Sequence, residues 1–225
     1  DGLLAVGGDL CARRLLLAYR MGIFPWYSDE MPILWWSPDP RLVLFPDELK
    51  VSASLRRTIK KKVFRITFDR AFHNVIRQCA DIRARRGEGT WLVPEMIRAY
   101  QRLHSAGWAH SVEVWRGGEL AGGLYGVALG RVFFGESMFS RVSDASKVAL
   151  IHLCQTLVAR GFGLIDCQMA SGHLQRLGAI QIPRRDFVAL LGQFCARPGK
   201  PGPWEWQCVA PAVSPTTTTM SDLDE

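Results

Sequence analysis

Apolar and polar residues change rhythm near the middle of the chain. Before residue 108 most of the repeat is helical; after it, alternation and short apolar runs dominate. Leu15, Leu16 and Tyr19 lie at helical spacing behind Asp9, a residue able to cap a helix, and Gly22 ends the pattern, which predicts a helix up to Met21. The next stretch, 22–40 (GIFPWYSDEMPILWWSPDP), has too many prolines for a helix and reads as an irregular loop dense in large aromatics: Phe24, Trp26, Trp35 and Trp36. A Ser-capped amphipathic helix is predicted over 51–62, a strand over 64–68, and a helix capped by Asp69 to about Ala80. A further helix has Pro94 in its first turn, contains Tyr100 and stops at Gly107.

The second half is strand-rich. Residues 110–115 and 119–128 flank a Gly117–Gly118 hairpin turn, and Gly130–Arg131 turns the chain into 131–140, RVFFGESMFS. Ser143 or Asp144 then caps a long helix to Arg160. A strand at 164–168 follows, with short helices at 173–177 and 185–194 around a strand at 180–182. A meander followed by helix, strand and helix predicts an α+β protein: a small N-terminal α/β domain (1–90), then an acyltransferase-like (GNAT-like) mixed-sheet domain with flanking helices (91–209). The remaining 210–225, with its Thr run and acidic end, lacks the apolar content to order itself and is expected to be a disordered tail.

Composition narrows the function classes. With 225 residues, 48% apolar and 22% charged, the chain is that of a globular protein. No apolar run reaches the roughly 18 residues of a membrane span, and no signal-peptide layout is present, so a cytoplasmic location is expected. The six cysteines are scattered without a CxxC pair or a His at ligand spacing, which suggests free thiols and neither zinc nor a disulfide framework. A net charge of +7 suits a polyanionic partner without requiring one. Its densest cluster is Arg56, Arg57, Lys60, Lys61 and Lys62 on the helix at 51–62; Arg83, Arg85 and Arg86 with the glycines at 87–89 are expected to form a basic, flexible loop.

Two polar intrusions into apolar strands stand out. Glu136 interrupts the Phe and Met of 131–140, and Asp166 and Gln168 interrupt 163–168. A buried charge needs a partner, so both strands are expected to face one cleft. Asp166 and Gln168 are two apart and leave the same face, whereas Cys167 points the other way, which argues against a thiol nucleophile. The segment before the long helix, 141–146 (RVSDAS), lacks the glycines that would hold a pyrophosphate and carries Asp144, which weakens an acetyl-CoA reading. No GxSxG, HExxH or Walker sequence is present.

Taken together, GLLAVGGDL (2–10), GIFPWYS (22–28), ILWWSPDPR (33–41), HSVEVW (110–115), GGLYGVALG (122–130), FFGESMFSR (133–141), ASKVAL (145–150), LIDCQ (164–168) and LGAIQIPRRDF (177–187) resemble the leucyl/phenylalanyl-tRNA–protein transferase family. The resemblance runs in order from residue 2 to about 195. Departures are Cys11 in place of an expected Ser, Met169 to Gly172 in place of a Val-Pro-Asn-like turn, and the absence of a short N-terminal segment.

This resemblance implies a cofactor-free enzyme that moves Leu or Phe, with Met a further candidate, from aminoacyl-tRNA to proteins beginning with Arg or Lys, marking them for degradation; a monomer is expected. The reaction is aminolysis of the ester that joins the amino acid to the 3′ adenosine. It implies Asp166 and Gln168 as catalytic residues, with Gln168 as the proton acceptor; because a carboxamide is barely basic, Asp166 is expected instead to hold the attacking amine and Gln168 to position it or bond the oxyanion. Glu136 would recognise the acceptor's cationic side chain or its ammonium. The rival readings are ion pairing of Asp166 with an Arg and of Glu136 with Arg141 or Lys147. Leu124, Phe133, Met138, Leu150 and Ile165 would line the pocket for the donor side chain. Phe133 and Met138 fall on opposite faces of a regular strand, so they meet there only if a bulge lies near Gly135. Trp26, Trp91, Tyr19 and Tyr100 would enclose the terminal adenosine, and the cations at 56–62 would bind tRNA. The other readings are an aminoacyl-tRNA-dependent peptidyltransferase acting on a cell-wall precursor and a non-enzymatic RNA-binding module.

Overall fold

In the computed structural model, residues 2–85, 92–196, 199 and 201–204 are described. Of the loop expected at 83–89, residues 83–85 instead continue the helix Phe72–Arg85, while residues 86–89, Trp91 and the tail at 210–225 lie outside the described residues. The N-terminal part forms a small antiparallel sheet in the order β1 (Leu3–Val6), β3 (Leu34–Trp36), β2 (Phe24–Pro25), with α1 (Ala12–Arg20) between the first two in sequence. The aromatic stretch is therefore partly strand: the prolines bound the short pairings instead of preventing them. Phe24 pairs with Trp36, and the buried Trp35 donates its indole N–H to the Gly7 carbonyl at 2.9 Å. In α1 the buried Leu15, Ala18 and Tyr19 share one face at helical spacing, leaving Arg13, Arg14 and Arg20 in solvent.

Among the described residues the main sheet has seven strands in the order β10 (Ile180–Ile182), β4 (Arg41–Leu44), β9 (Leu164–Gln168), β8 (Val132–Ser140), β7 (Glu119–Leu129), β6 (Ala109–Arg116), β5 (Arg65–Phe68). This is the expected α+β arrangement, a mixed sheet with flanking helices behind a small N-terminal sheet. Strands β4 and β5 both precede residue 90, so sequence on each side of that position contributes to the one sheet. All pairings are antiparallel except β8 with β9, which α5 (Ala145–Ala159) joins by a crossover. α5 is apolar nearly all round because the sheet lies on one side and α2 (Ala53–Lys60) and the turn at Pro46–Glu48 on the other. The opposite face of the sheet packs against α1, α3 (Phe72–Arg85), α4 (Pro94–Ser105) and α7 (Arg184–Phe194).

Several local expectations change in three dimensions. Ser52 caps α2 as expected, accepting from the Leu55 N–H at 3.2 Å. Asp69 does not cap α3: its carboxylate accepts from the backbone N–H groups of Ser111 (2.9 Å) and Trp204 (2.8 Å) and pairs with the His110 ring. Asp144 occupies the N-cap position of α5 but binds Lys147 at 2.8 Å, and the Ser140 hydroxyl takes the Ser146 N–H instead. Asp9 accepts from the Cys11 N–H, ahead of α1. The five cysteines among the described residues are free thiols. Among the described residues no helix is long and apolar enough to cross a membrane.

Candidate active site

The parallel pairing of β8 and β9 runs Val132–Leu164, Phe133–Ile165, Phe134–Asp166 and then ends. A cavity of about 450 Å³ opens beside the last of these pairs, lined by Gly135, Glu136, Ser137 and Met138 of β8 and by Cys167 and Gln168 of β9. α5 contributes Leu150 and Leu153 to it, and Phe24, Pro25 and Trp26 arrive from the small sheet.

The strand β8 reaches this position through a bulge. Tyr125 pairs with Ser137 but Gly126 pairs with Gly135, which leaves Glu136 as the extra residue. The backbone is tight here: a Cβ on Gly126 would sit 2.2 Å from the Phe134 carbonyl oxygen. The bulge reverses the alternation, so Phe133 and Met138 both pack with α5 while Glu136 turns to the opposite side. The bulge expected near Gly135 is present, and Leu124, Phe133, Met138, Leu150 and Ile165 all line the cavity. Leu153 completes this apolar wall.

Glu136 is 8% exposed, and its partners are neither Arg141 nor Lys147. Tyr19 and Gln168 donate to one carboxylate oxygen at 2.7 and 3.0 Å, and Tyr100 donates to the other at 2.7 Å. The two phenol oxygens are 2.6 Å apart. Burial pushes the Glu136 carboxyl up to about 7; the neighbouring Asp166 carboxylate adds to the rise, and the donors from Tyr100, Tyr19 and Gln168 oppose it. Burial and Glu136 also push both tyrosines well above their ordinary range. Tyr19 and Tyr100 are completely buried, so they do not enclose an adenosine; they hold Glu136 from behind. The signal for this was available: each tyrosine sits on the apolar face of its helix, where a hydroxyl needs a buried partner.

Asp166 also departs from its expected role. It is 0% exposed and takes a two-pronged ion pair from Arg41, Nε to Oδ1 at 2.8 Å and Nη2 to Oδ2 at 2.7 Å, so it does not hold an attacking amine. The Arg41 guanidinium lies between the rings of Phe24 and Phe187, 4.8 and 4.6 Å from their centroids. Asp166 Oδ1 accepts in addition from the Gln168 N–H at 2.9 Å, and Gln168 is held at a left-handed φ of 64°. Asp166 thus fixes the backbone from which the Gln168 amide reaches Glu136. Arg41 escaped sequence reasoning because strand β4 itself did: its side chain is buried by a contact 125 residues away.

Cys167 packs on the α5 side, and burial together with Asp166 pushes its thiol up, away from the thiolate. The Trp26 ring is 38% exposed at the cavity edge and remains free to stack, with Trp36 edge-on to it at 5.9 Å. Arg56, Arg57, Lys60, Lys61 and Lys62 are all exposed on and just after α2, outside the cavity.

Comparison with known proteins agrees with this geometry. The model of the leucyl/phenylalanyl-tRNA protein transferase family matches residues 43–192, and that of its N-terminal domain matches 8–39. A leucyl/phenylalanyl-tRNA–protein transferase of Syntrophobacter fumaroxidans is 67% identical, covering 86% of this chain and 82% of its own length. One from Solidesulfovibrio magneticus is 54% identical over 98% of this chain and 89% of its own. Likeness to solved structures is distant. A conserved protein of unknown function from Bacteroides thetaiotaomicron gives a TM-score of 0.49 at 10% identity, covering 75% of this chain and 62% of that one. A GCN5-related N-acetyltransferase from Kribbella flavida gives 0.39 at 13%, over 71% and 56%. Scores at that level carry no argument about function. The family models and the relatives between them span the small sheet, the main sheet and every wall of the cavity, and the chain belongs to the leucyl/phenylalanyl-tRNA–protein transferase family.

Proposed function

We propose that this chain transfers leucine or phenylalanine from aminoacyl-tRNA to the N-terminal Arg or Lys of acceptor proteins, marking them for degradation. The observation that carries this reading is the two-sided cavity: an apolar wall sized for a Leu or Phe side chain faces a single carboxylate with a carboxamide beside it. The donor side chain enters against Leu124, Phe133, Met138, Leu150, Leu153 and Ile165. Trp26 lies where the adenosine leaves the cavity.

Chemistry then falls to Glu136 and Gln168. A carboxylate has about four acceptor positions, and three are taken by Tyr19, Tyr100 and Gln168, leaving one for a substrate N–H. The attacking nitrogen bonds to the ester carbonyl carbon and passes a proton to Glu136. The bond from that carbon to the ribose 3′ oxygen breaks, and the same proton goes to the departing oxygen. A carboxyl near pH 7 can accept and return it. Gln168 spends one N–H on Glu136 and keeps its carbonyl for the incoming amine. The amine has a pKa of about 7.7–8.0, so a useful part of it is neutral, and holding the reactants together supplies about 7–11 kcal/mol of barrier reduction.

Leucyl-tRNA and an Arg-starting peptide should yield the leucylated peptide; a protein that leaves the peptide unchanged would refute the reading. Met138 lets the pocket adapt to both donors because its thioether chain is flexible. Met138→Phe is expected to lower transfer of Phe relative to Leu by roughly tenfold, read as the ratio of kcat/KM values for the two charged tRNAs. Replacing Lys60, Lys61 and Lys62 with Ala should raise the KM for aminoacyl-tRNA and flatten its salt dependence by about one unit of log–log slope per cation lost. An unchanged slope would mean these cations are only solvated.

A further inference from the structure

We propose that Arg176 and His173 of α6 (Gly172–Arg176), together with Lys147 of α5, seat the last phosphodiester of the donor at the cavity mouth, while the α2 cations meet the nucleic acid farther away. The inference rests on the reading that the donor is an aminoacyl-tRNA. Its grounds are positional.

His173 is half-buried and lines the cavity, and Arg176 follows it one helical turn later with an exposed side chain. Lys147 is one turn ahead of Leu150, which also lines the cavity. The ammonium of Lys147 is paired with Asp144 at 2.8 Å and keeps two further N–H donors for a phosphate oxygen. Among the described residues Arg176 appears in no ion pair, so its charge is not spent. The imidazole of His173 is driven toward its neutral form by burial and by the two cations, Lys147 and Arg176, beside it. A guanidinium with its charge unspent, an ammonium with free N–H donors and an imidazole at the cavity lining together offer an anion its partners.

Covalent structure supplies the anion. When the aminoacyl ester lies against Glu136 and Gln168, the ribose is directly attached, and the phosphodiester preceding that nucleoside is one sugar away. The cations of α2 stand on the same side of the sheet, because α2, α5 and α6 all pack on the face that holds Leu55, Leu150 and Leu174. The cations of α2 and those of α5 and α6 therefore lie on one face of the sheet, the latter nearer the cavity.

Donors of increasing length separate the two parts. Leucyl-adenosine carries no phosphate, a leucylated dinucleotide ending in adenosine carries the one phosphodiester in question, and leucyl-tRNA carries the whole track. With an Arg-starting peptide as acceptor, Arg176→Ala should raise the KM for the dinucleotide and for tRNA by about tenfold, the value of one charge-assisted contact, and move that for leucyl-adenosine less than twofold. Arg176→Glu should enlarge the same selective effect. The Lys60, Lys61 and Lys62 replacements should affect tRNA alone. Equal effects of Arg176→Ala on all three donors, or none on any, would overturn the proposal, and the leucyl-adenosine rate reports whether the variant is folded. If wild-type protein uses none of the three donors, the functional reading falls and this inference with it.

Discussion

The Arg41→Met variant is expected to lose about 3–5 kcal/mol of stability, because it leaves the Asp166 carboxylate buried without its counter-charge. Asp166 is 0% exposed and Arg41 1%, and the pair is closed by two short hydrogen bonds, so no water can take over from the guanidinium. For a chain of this length the loss corresponds to a fall in Tm of about 10 °C. The double variant Arg41→Met/Asp166→Leu should recover most of that stability, since replacing a whole buried ion pair with apolar groups is often neutral. It should not recover transfer activity. Without the Asp166 carboxylate the Gln168 N–H loses its acceptor, and the left-handed backbone that aims the carboxamide at Glu136 is released. Denaturant titrations and transfer assays on the two variants separate these effects. Full activity in the double variant would remove Asp166 from any part in placing Gln168.

Glu136→Gln should lower kcat by about 10²–10⁴, the usual contribution of a positioned acid–base group, with the fold intact. The pH dependence is the sharper readout. Glu136 must be ionised to accept the proton, so wild-type kcat/KM should climb as pH rises through about 7, and the variant should lack that limb. Only the titration of the acceptor amine, at about 7.7–8.0, should remain. Stability moves in the opposite sense. A carboxyl raised from 4.5 to about 7 holds its proton more tightly in the folded state, so its ionisation destabilises the fold progressively between those values. That span corresponds to on the order of 3 kcal/mol. The Gln variant, which does not ionise, should therefore gain stability relative to wild type as pH rises, levelling off above about 7. A variant that keeps the wild-type rate and profile would show Glu136 to be a recognition group only.

Much of the catalytic half could be read along the chain. Alternation and turn glycines located β6, β7 and β8, and the long apolar run to Arg160 located α5, because each of these elements is specified by neighbours within a few residues. Of the two polar intrusions, Glu136 and Gln168 meet at one cavity, while Asp166 lies buried behind it and holds the Gln168 backbone N–H. The physical rule that a charge inside an apolar strand needs a partner was sufficient for that much. It was not sufficient to say which partner.

What escaped was everything settled by contacts distant in sequence. Strand β4 is only Arg41–Leu44, bounded by prolines, and nothing local distinguishes it from loop. It becomes a strand because β9 and β10 supply hydrogen-bond partners on both sides. Tyr19 and Tyr100 looked available to a ligand as residues on separate helices, yet packing of α1 and α4 on the sheet buries them against Glu136, 117 and 36 residues away.

By itself, the sequence determined the periodicities, and hence the α+β class, the meander, the long apolar helix and the residue types brought to the cleft. Tertiary structure alone decided how those residues are used. Hydrophobic periodicity specifies which face of an element is buried, but a buried carboxylate is stabilised by whichever donors the fold delivers to it. Here those donors divided the two acids, with Arg41 pairing with Asp166 while Tyr19, Tyr100 and Gln168 donate to Glu136.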